Sequence, residues 1–171
     1  KEGNGPRRSI LIMPVSGEEK GLLGSRYYTD NPIYPLESTV ANLNIDMIGR
    51  LDDWHDNGNY VYLIGSDRLS YDLHDLNEKI NNEYIGIDLD YRFNDKDDPN
   101  RYYYRSDHYN FAKNNIPVIF YFNGVHEDYH KPSDTIEKLD FDKINTITKL
   151  IFLTAWEIAN RDDRIKLRDD L

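Results

Sequence analysis

Apolar and polar positions along the chain change period several times. Ser9 to Val15 (SILIMPV) is a short apolar run between turn residues and predicts a buried strand. Gly21 to Asp30 predicts a helix with Leu22, Leu23, Tyr27 and Tyr28 on one face, ended by Pro32 and Pro35. Val40 to Ile48 alternates polar and apolar residues as a strand does, and after the Asn57-Gly58-Asn59 turn, Tyr60 to Ile64 predicts another. Ser70 to Tyr84 is periodic at three and four residues through Leu73, Leu76, Ile80 and Tyr84, which predicts a helix. Ile87 to Tyr91 predicts a strand, Asp107 to Asn114 a short helix with Ser106 as its cap, and Pro117 to Phe122 a buried strand. The longest helix is Phe141 to Asn160, with Ile144, Ile147, Ile151, Thr154 and Ile158 along its apolar face. The charged tail, Arg161 to Leu171, is expected to fray. Alternating strands and helices predict an α/β layered domain over residues 1–171, with no internal repeat.

Composition narrows the chemistry. With 21 Lys+Arg against 31 Asp+Glu, the formal charge of −10 disfavours nucleic acid, whose phosphates need a basic face. There is no Cys, so any metal must be held by His, Asp and Glu. No run approaches the roughly 18 apolar residues of a membrane span, so no membrane partner is expected. The chain opens on a turn-rich connector, Lys1 to Pro6, which reads as the middle of a longer protein.

Four segments place acids or histidines just past strands, where α/β proteins build sites. In Ser16-Gly17-Glu18-Glu19, adjacent carboxylates could divide metal binding and proton transfer, or simply favour a helix N-terminus. In Asn44-Ile45-Asp46-Met47, an acid sits among apolar residues and needs a partner, either a metal or an arginine such as Arg50. Tyr104-Arg105-Ser106-Asp107-His108 is a polar cluster at a helix start, open to ordinary capping by Ser106 and Asp107. His126-Glu127-x-x-His130 formally matches HExxH, but Gly124 before it and Pro132 after it leave too little helix, so His130 alone is the candidate ligand. Asp95 to Asp98 lacks the glycine and closing glutamate of an EF-hand. That segment and Asp52 to His55 are both expected to be solvated loops.

Taken in order, SGEE-KGLLGS, NLNIDMIGR, RSDH-x-x-F-x-x-x-x-IP and YH-x-x-x-DT closely resemble the family 28 metallopeptidases, co-catalytic di-zinc aminopeptidases, from about Arg7 to Leu139. The resemblance implies a three-layer α/β sandwich of the zinc-dependent exopeptidase type, truncated on its N-terminal side. It implies Glu18 as general base, Glu19, Asp46 and His130 as zinc ligands, and Tyr129 as a hydrogen-bond donor to the developing oxyanion. Arg105 would contact substrate, with Asp107, Asp134 and Thr135 in support. The expected cofactor is zinc, two ions per complete site, and the expected partner is a peptide substrate. Export to the periplasm or the exterior is common in that family.

The family pattern also needs a further His and a bridging Asp ahead of the SGEE segment. His55, His74 and His108 come too late in the order to serve. Three of five ligands remain, so the expectation for this chain alone is weak or absent zinc binding and no turnover. A glutaminyl-cyclase-like zinc acyltransferase and a non-catalytic binding module on the same fold are the competing readings.

Overall fold

A computed structural model describes residues 5–171, so most of the Lys1–Pro6 connector lies outside it. Four strands, β1 (Asn42–Ile45), β2 (Tyr60–Ile64), β3 (Asp88–Asp90) and β4 (Val118–Phe122), form one mixed sheet in the order β1-β4-β2-β3. β1 runs parallel to β4 with Asn42 opposite Val118, β2 parallel to β3, and β2 antiparallel to β4. The helices are α1 (Leu23–Asp30), α2 (Tyr71–Ile80), α3 (His108–Ala112) and α4 (Phe141–Asn160).

The two-residue period of the strands builds two cores. Val61 and Leu63 of β2 and Ile119 and Tyr121 of β4 face Leu73 and Ile80 of α2 and Ile147, Leu150 and Ile151 of α4. The alternate positions, Tyr60, Tyr62, Ile64, Val118, Phe120 and Phe122, pack with Phe111 of α3 and Tyr103 on the opposite face. Helices therefore cover both faces of the sheet, a layered α/β arrangement. Each fully buried aliphatic side chain contributes about 1.5–3 kcal/mol. Ser70 caps α2 by accepting from the Leu73 amide at 3.0 Å, and Asp140 caps α4 by accepting from the Lys143 amide at 2.9 Å. No described helix is long and apolar enough to cross a membrane.

Several expectations are corrected. Ser9–Val15 is not a strand. β1 pairs only with β4 among the described residues, and Ile10, Leu11 and Ile12 are 44%, 51% and 84% exposed. An apolar run becomes a buried strand only where a neighbour satisfies its backbone groups. In α1 the buried residues are Ser25 and Thr29, whereas Leu23 and Tyr27 are exposed, because the helix turns its polar stripe onto Asp107 and Asn110. Ser106 does not cap α3; its hydroxyl goes to Asp46. The tail is docked. Ile165 is buried, Asp72 accepts from the Arg161 guanidinium at 2.9 Å, and the Arg168 amide donates to Leu69 O at 2.9 Å. Asp52 and Asp98 are buried, and the Asp52 carboxylate meets the Trp54 amide, the His55 ring and the Tyr60 and Tyr62 hydroxyls.

Candidate active site

The Glu pair is placed by local backbone. Gly17 sits in the left-handed region (φ 68°), which a glycine enters without steric cost. It turns the chain into a single 3-10 turn, Glu18–Lys20, directly before α1. Asp46 follows the last residue of β1, where Met47 takes a left-handed φ of 55° and ends the strand. Tyr129 and His130 lie on the loop after β4, and His130 is also left-handed, at φ 57°. Residues 126–130 form no helix, which removes the two-histidine helical zinc motif.

These segments converge. His130 Nε2 lies 2.6 Å from Glu19 Oε1, joining residues 111 positions apart, and both side chains are more than half exposed. The Tyr129 ring stacks on the His130 imidazole at 3.8 Å. Ser106 Oγ donates to Asp46 Oδ2 at 2.7 Å and accepts from Asn44 Nδ2 at 2.9 Å. Arg50, a possible partner for Asp46 by sequence, turns away to Asp128 and Asp134.

Carboxylates dominate the field. Partial burial, together with the charges of Asp46, Glu19 and Asp107, pushes the Glu18 carboxyl up to about 7, with His130 pulling the other way. Burial raises Asp46 as well, opposed by the Ser106 hydrogen bond and aided by Asp107 and Glu19. Burial and the charges of Glu19, Glu18 and Asp46 raise the Tyr129 phenol, so its hydroxyl stays a donor, although Arg105 works against that shift.

The supporting residues divide. Asp107 is buried and accepts from Ser25 Oγ, fastening α3 to α1. Asp134 pairs with Arg50 at 2.5 Å and lies 3.7 Å from His126 Nε2. Arg105 is exposed, with its guanidinium 5.0 Å from the centre of the Tyr102 ring. Sequence reasoning missed Ser106 as the Asp46 partner and Arg50 as the anchor of the His130 loop. The signal for Ser106 was present: Asn44 and Asp46 alternate on one strand and need polar neighbours.

The donor set suits zinc in chemistry: two carboxylates and an imidazole, with burial and the charges of Asp107 and Glu19 raising Asp46. It is not closed in geometry. Among the described residues no three His, Asp or Glu side chains gather tightly enough to hold a metal ion. Glu19 and His130 meet each other, while Asp46 is engaged by Ser106.

The fold is similar to those of several solved aminopeptidases. The LapA aminopeptidase of Legionella pneumophila is 25% identical, with 87% of this chain matching 38% of that one at a TM-score of 0.65. A zinc aminopeptidase from Bacillus subtilis, BSAP, is 22% identical, with 88% of this chain matching 36% of that one at 0.66. The fold is also similar to a glutaminyl cyclase from Porphyromonas gingivalis, at 19% identity and a TM-score of 0.50, with 81% of this chain matching 49% of that one. No curated protein gives a significant match. Residues 1–155 match the model of Peptidase family M28, and the chain belongs to that family. It spans well under two-thirds of the length of these aminopeptidases.

Proposed function

We propose that this chain carries the general base and three zinc ligands of an aminopeptidase that removes N-terminal residues from peptides. The observation that carries the reading is the convergence of Glu18, Glu19 and His130 from segments 111 residues apart, with Asp46 adding its charge to Glu18. Glu19, Asp46 and His130 would hold the metal. Bound zinc supplies an acidified water and a polarised carbonyl. The Glu18 carboxylate, with an affinity for protons near neutrality, takes the proton of the attacking water at Oε and delivers it to the leaving amine. The Tyr129 hydroxyl, kept protonated by its acidic surroundings, donates to the developing oxyanion. The cluster of carboxylates also attracts the substrate's free α-ammonium, which favours exopeptidase over endopeptidase action.

The remaining two ligands implied by the family resemblance come, in this reading, from residues outside the chain, so the chain alone does not turn over substrate. The test is Glu18→Gln in the assembled peptidase. Hydrolysis of leucine p-nitroanilide should fall by about 10²-fold or more while zinc content stays at the wild-type level. Unchanged turnover removes the proposal. The fold similarity to a glutaminyl cyclase makes cyclisation of an N-terminal glutamine peptide the control reaction.

A further inference from the structure

Arg50 occupies a position that the proposed chemistry does not use. It lies four residues beyond Asp46, its side chain is only 14% exposed, and it bridges two carboxylates: Asp128 at 2.6 Å and Asp134 at 2.5 Å. These acids flank His130, two residues before it and four after. Asp128 is itself 6% exposed and also accepts from Lys138 Nζ at 2.7 Å. One planar guanidinium thus grips both ends of the turn that presents Tyr129 and His130.

The base of this grip is densely hydrogen-bonded. Just past Arg50, the buried Asp52 carboxylate accepts from Tyr60 at 3.1 Å and Tyr62 at 2.5 Å, and its own amide donates to the Tyr60 hydroxyl at 3.0 Å. Just before Arg50, Gly49 O accepts from the Asp140 amide at 2.9 Å and Met47 O accepts from the Asn123 amide at 3.1 Å. Gly124, where β4 runs out into the loop, has φ 87°, and a Cβ there would collide with the Asp52 carboxylate. His130, by contrast, is half exposed and held in a left-handed conformation that a non-glycine residue does not favour without support.

We infer that Arg50 is a positioning residue: bridging Asp128 and Asp134, it ties the end of the Asp46 strand to the His130 loop and sets the place of the His130 imidazole opposite Glu19. The inference rests on the proposed function for its purpose, but its geometry stands without metal. Lysine would keep the charge and lose the two-armed grip, since an ammonium is a point charge and cannot span both acids as a fork does.

The test uses the metal-free 171-residue chain, comparing wild type with Arg50→Lys, Arg50→Gln and Asp134→Asn. The readouts are His130 imidazole nitrogen shifts by NMR, with His130→Asn for assignment, and amide exchange over residues 126–134. Wild type should show a ring nitrogen held by a carboxylate. Arg50→Gln should move that signal to the free-histidine position and speed loop exchange by about tenfold or more, while β2 and β4 amides stay protected. Arg50→Lys should fall between, as should Asp134→Asn, which keeps the Asp128 arm. Where Arg50→Gln unfolds the chain, Arg50→Lys decides by the same signals. Zinc is then added. Weakened uptake in the Arg50 variants, by about 10- to 100-fold, supports the inference further. A loosened loop in a chain whose zinc uptake survives His130→Asn supports the clamp and counts against the metal reading. A His130 signal and loop exchange that stay at wild-type values in both Arg50 variants overturn the clamp, whatever zinc does.

Discussion

His130 Nε2 and Glu19 Oε1 meet at 2.6 Å across 111 residues of sequence, yet both side chains are more than half exposed. An exposed ion pair contributes at most about 1 kcal/mol to stability. Selection for stability is therefore a weak reason for this contact, and ligand binding a strong one. His130→Asn, which tolerates the left-handed backbone, should change the free energy of unfolding by less than about 1 kcal/mol in a denaturant titration. A loss several times larger would make the histidine structural.

Ser106 donates its hydroxyl to the Asp46 carboxylate at 2.7 Å. Its hydrogen bond opposes the upward push of burial on Asp46 and favours the ionised form that a metal needs. Ser106→Ala should weaken zinc uptake by about 10-fold or more, read by competition with a chelating dye, and leave the far-ultraviolet circular dichroism unchanged.

His108 is fully buried, stacked on Phe120 with ring centroids 4.7 Å apart, and burial lowers its pKa to about 3. In the unfolded chain it titrates near 6.5. Between those values the unfolded state holds the extra proton, so stability falls with decreasing pH at about 1.4 kcal/mol per unit. Glu18 acts in the opposite sense, because its folded pKa of about 7 is raised, and its contribution is lost as pH rises through that value. Comparing wild type with His108→Leu cancels Glu18. The stability of wild type relative to His108→Leu should fall steadily from pH 6.5 to 5, and a pH-independent difference would refute a buried neutral imidazole.

The same interior predicts the effect of truncating α4. Leu150 has no exposed surface and belongs to the core shared by β2, β4, α2 and α4. Leu150→Ala should cost about 2–5 kcal/mol, and truncating the exposed Phe152 on the same helix less than about 1 kcal/mol.

Sequence patterning located what depends on local order. The runs Tyr60–Ile64 and Phe141–Asn160 appear with those bounds, because a continuous apolar strand and a five-turn periodic helix leave no competing register. The buried face of α1 departs from the hydropathy pattern because it holds Ser25, hydrogen-bonded to Asp107 and Asn110, and Thr29, which donates to Arg26 O of its own helix. Ser9–Val15 has strand composition but pairs with no strand among the described residues. Asp52 looked solvated because its partners, Tyr60 and Tyr62, are identifiable only once the strand folds back over it. In the site, the acids and His130 were legible from motif order. The grip of Arg50 on Asp128 and Asp134 was not, since it spans 78 and 84 residues and leaves no local pattern.

The central claim is that Glu19, Asp46 and His130 act as one donor set. Zinc titration of the 171-residue chain, followed by equilibrium dialysis and metal analysis, tests it most directly when wild type is run beside Asp46→Asn and His130→Asn. The account predicts weak zinc uptake by wild type that both substitutions abolish. Equal uptake by all three proteins would contradict it.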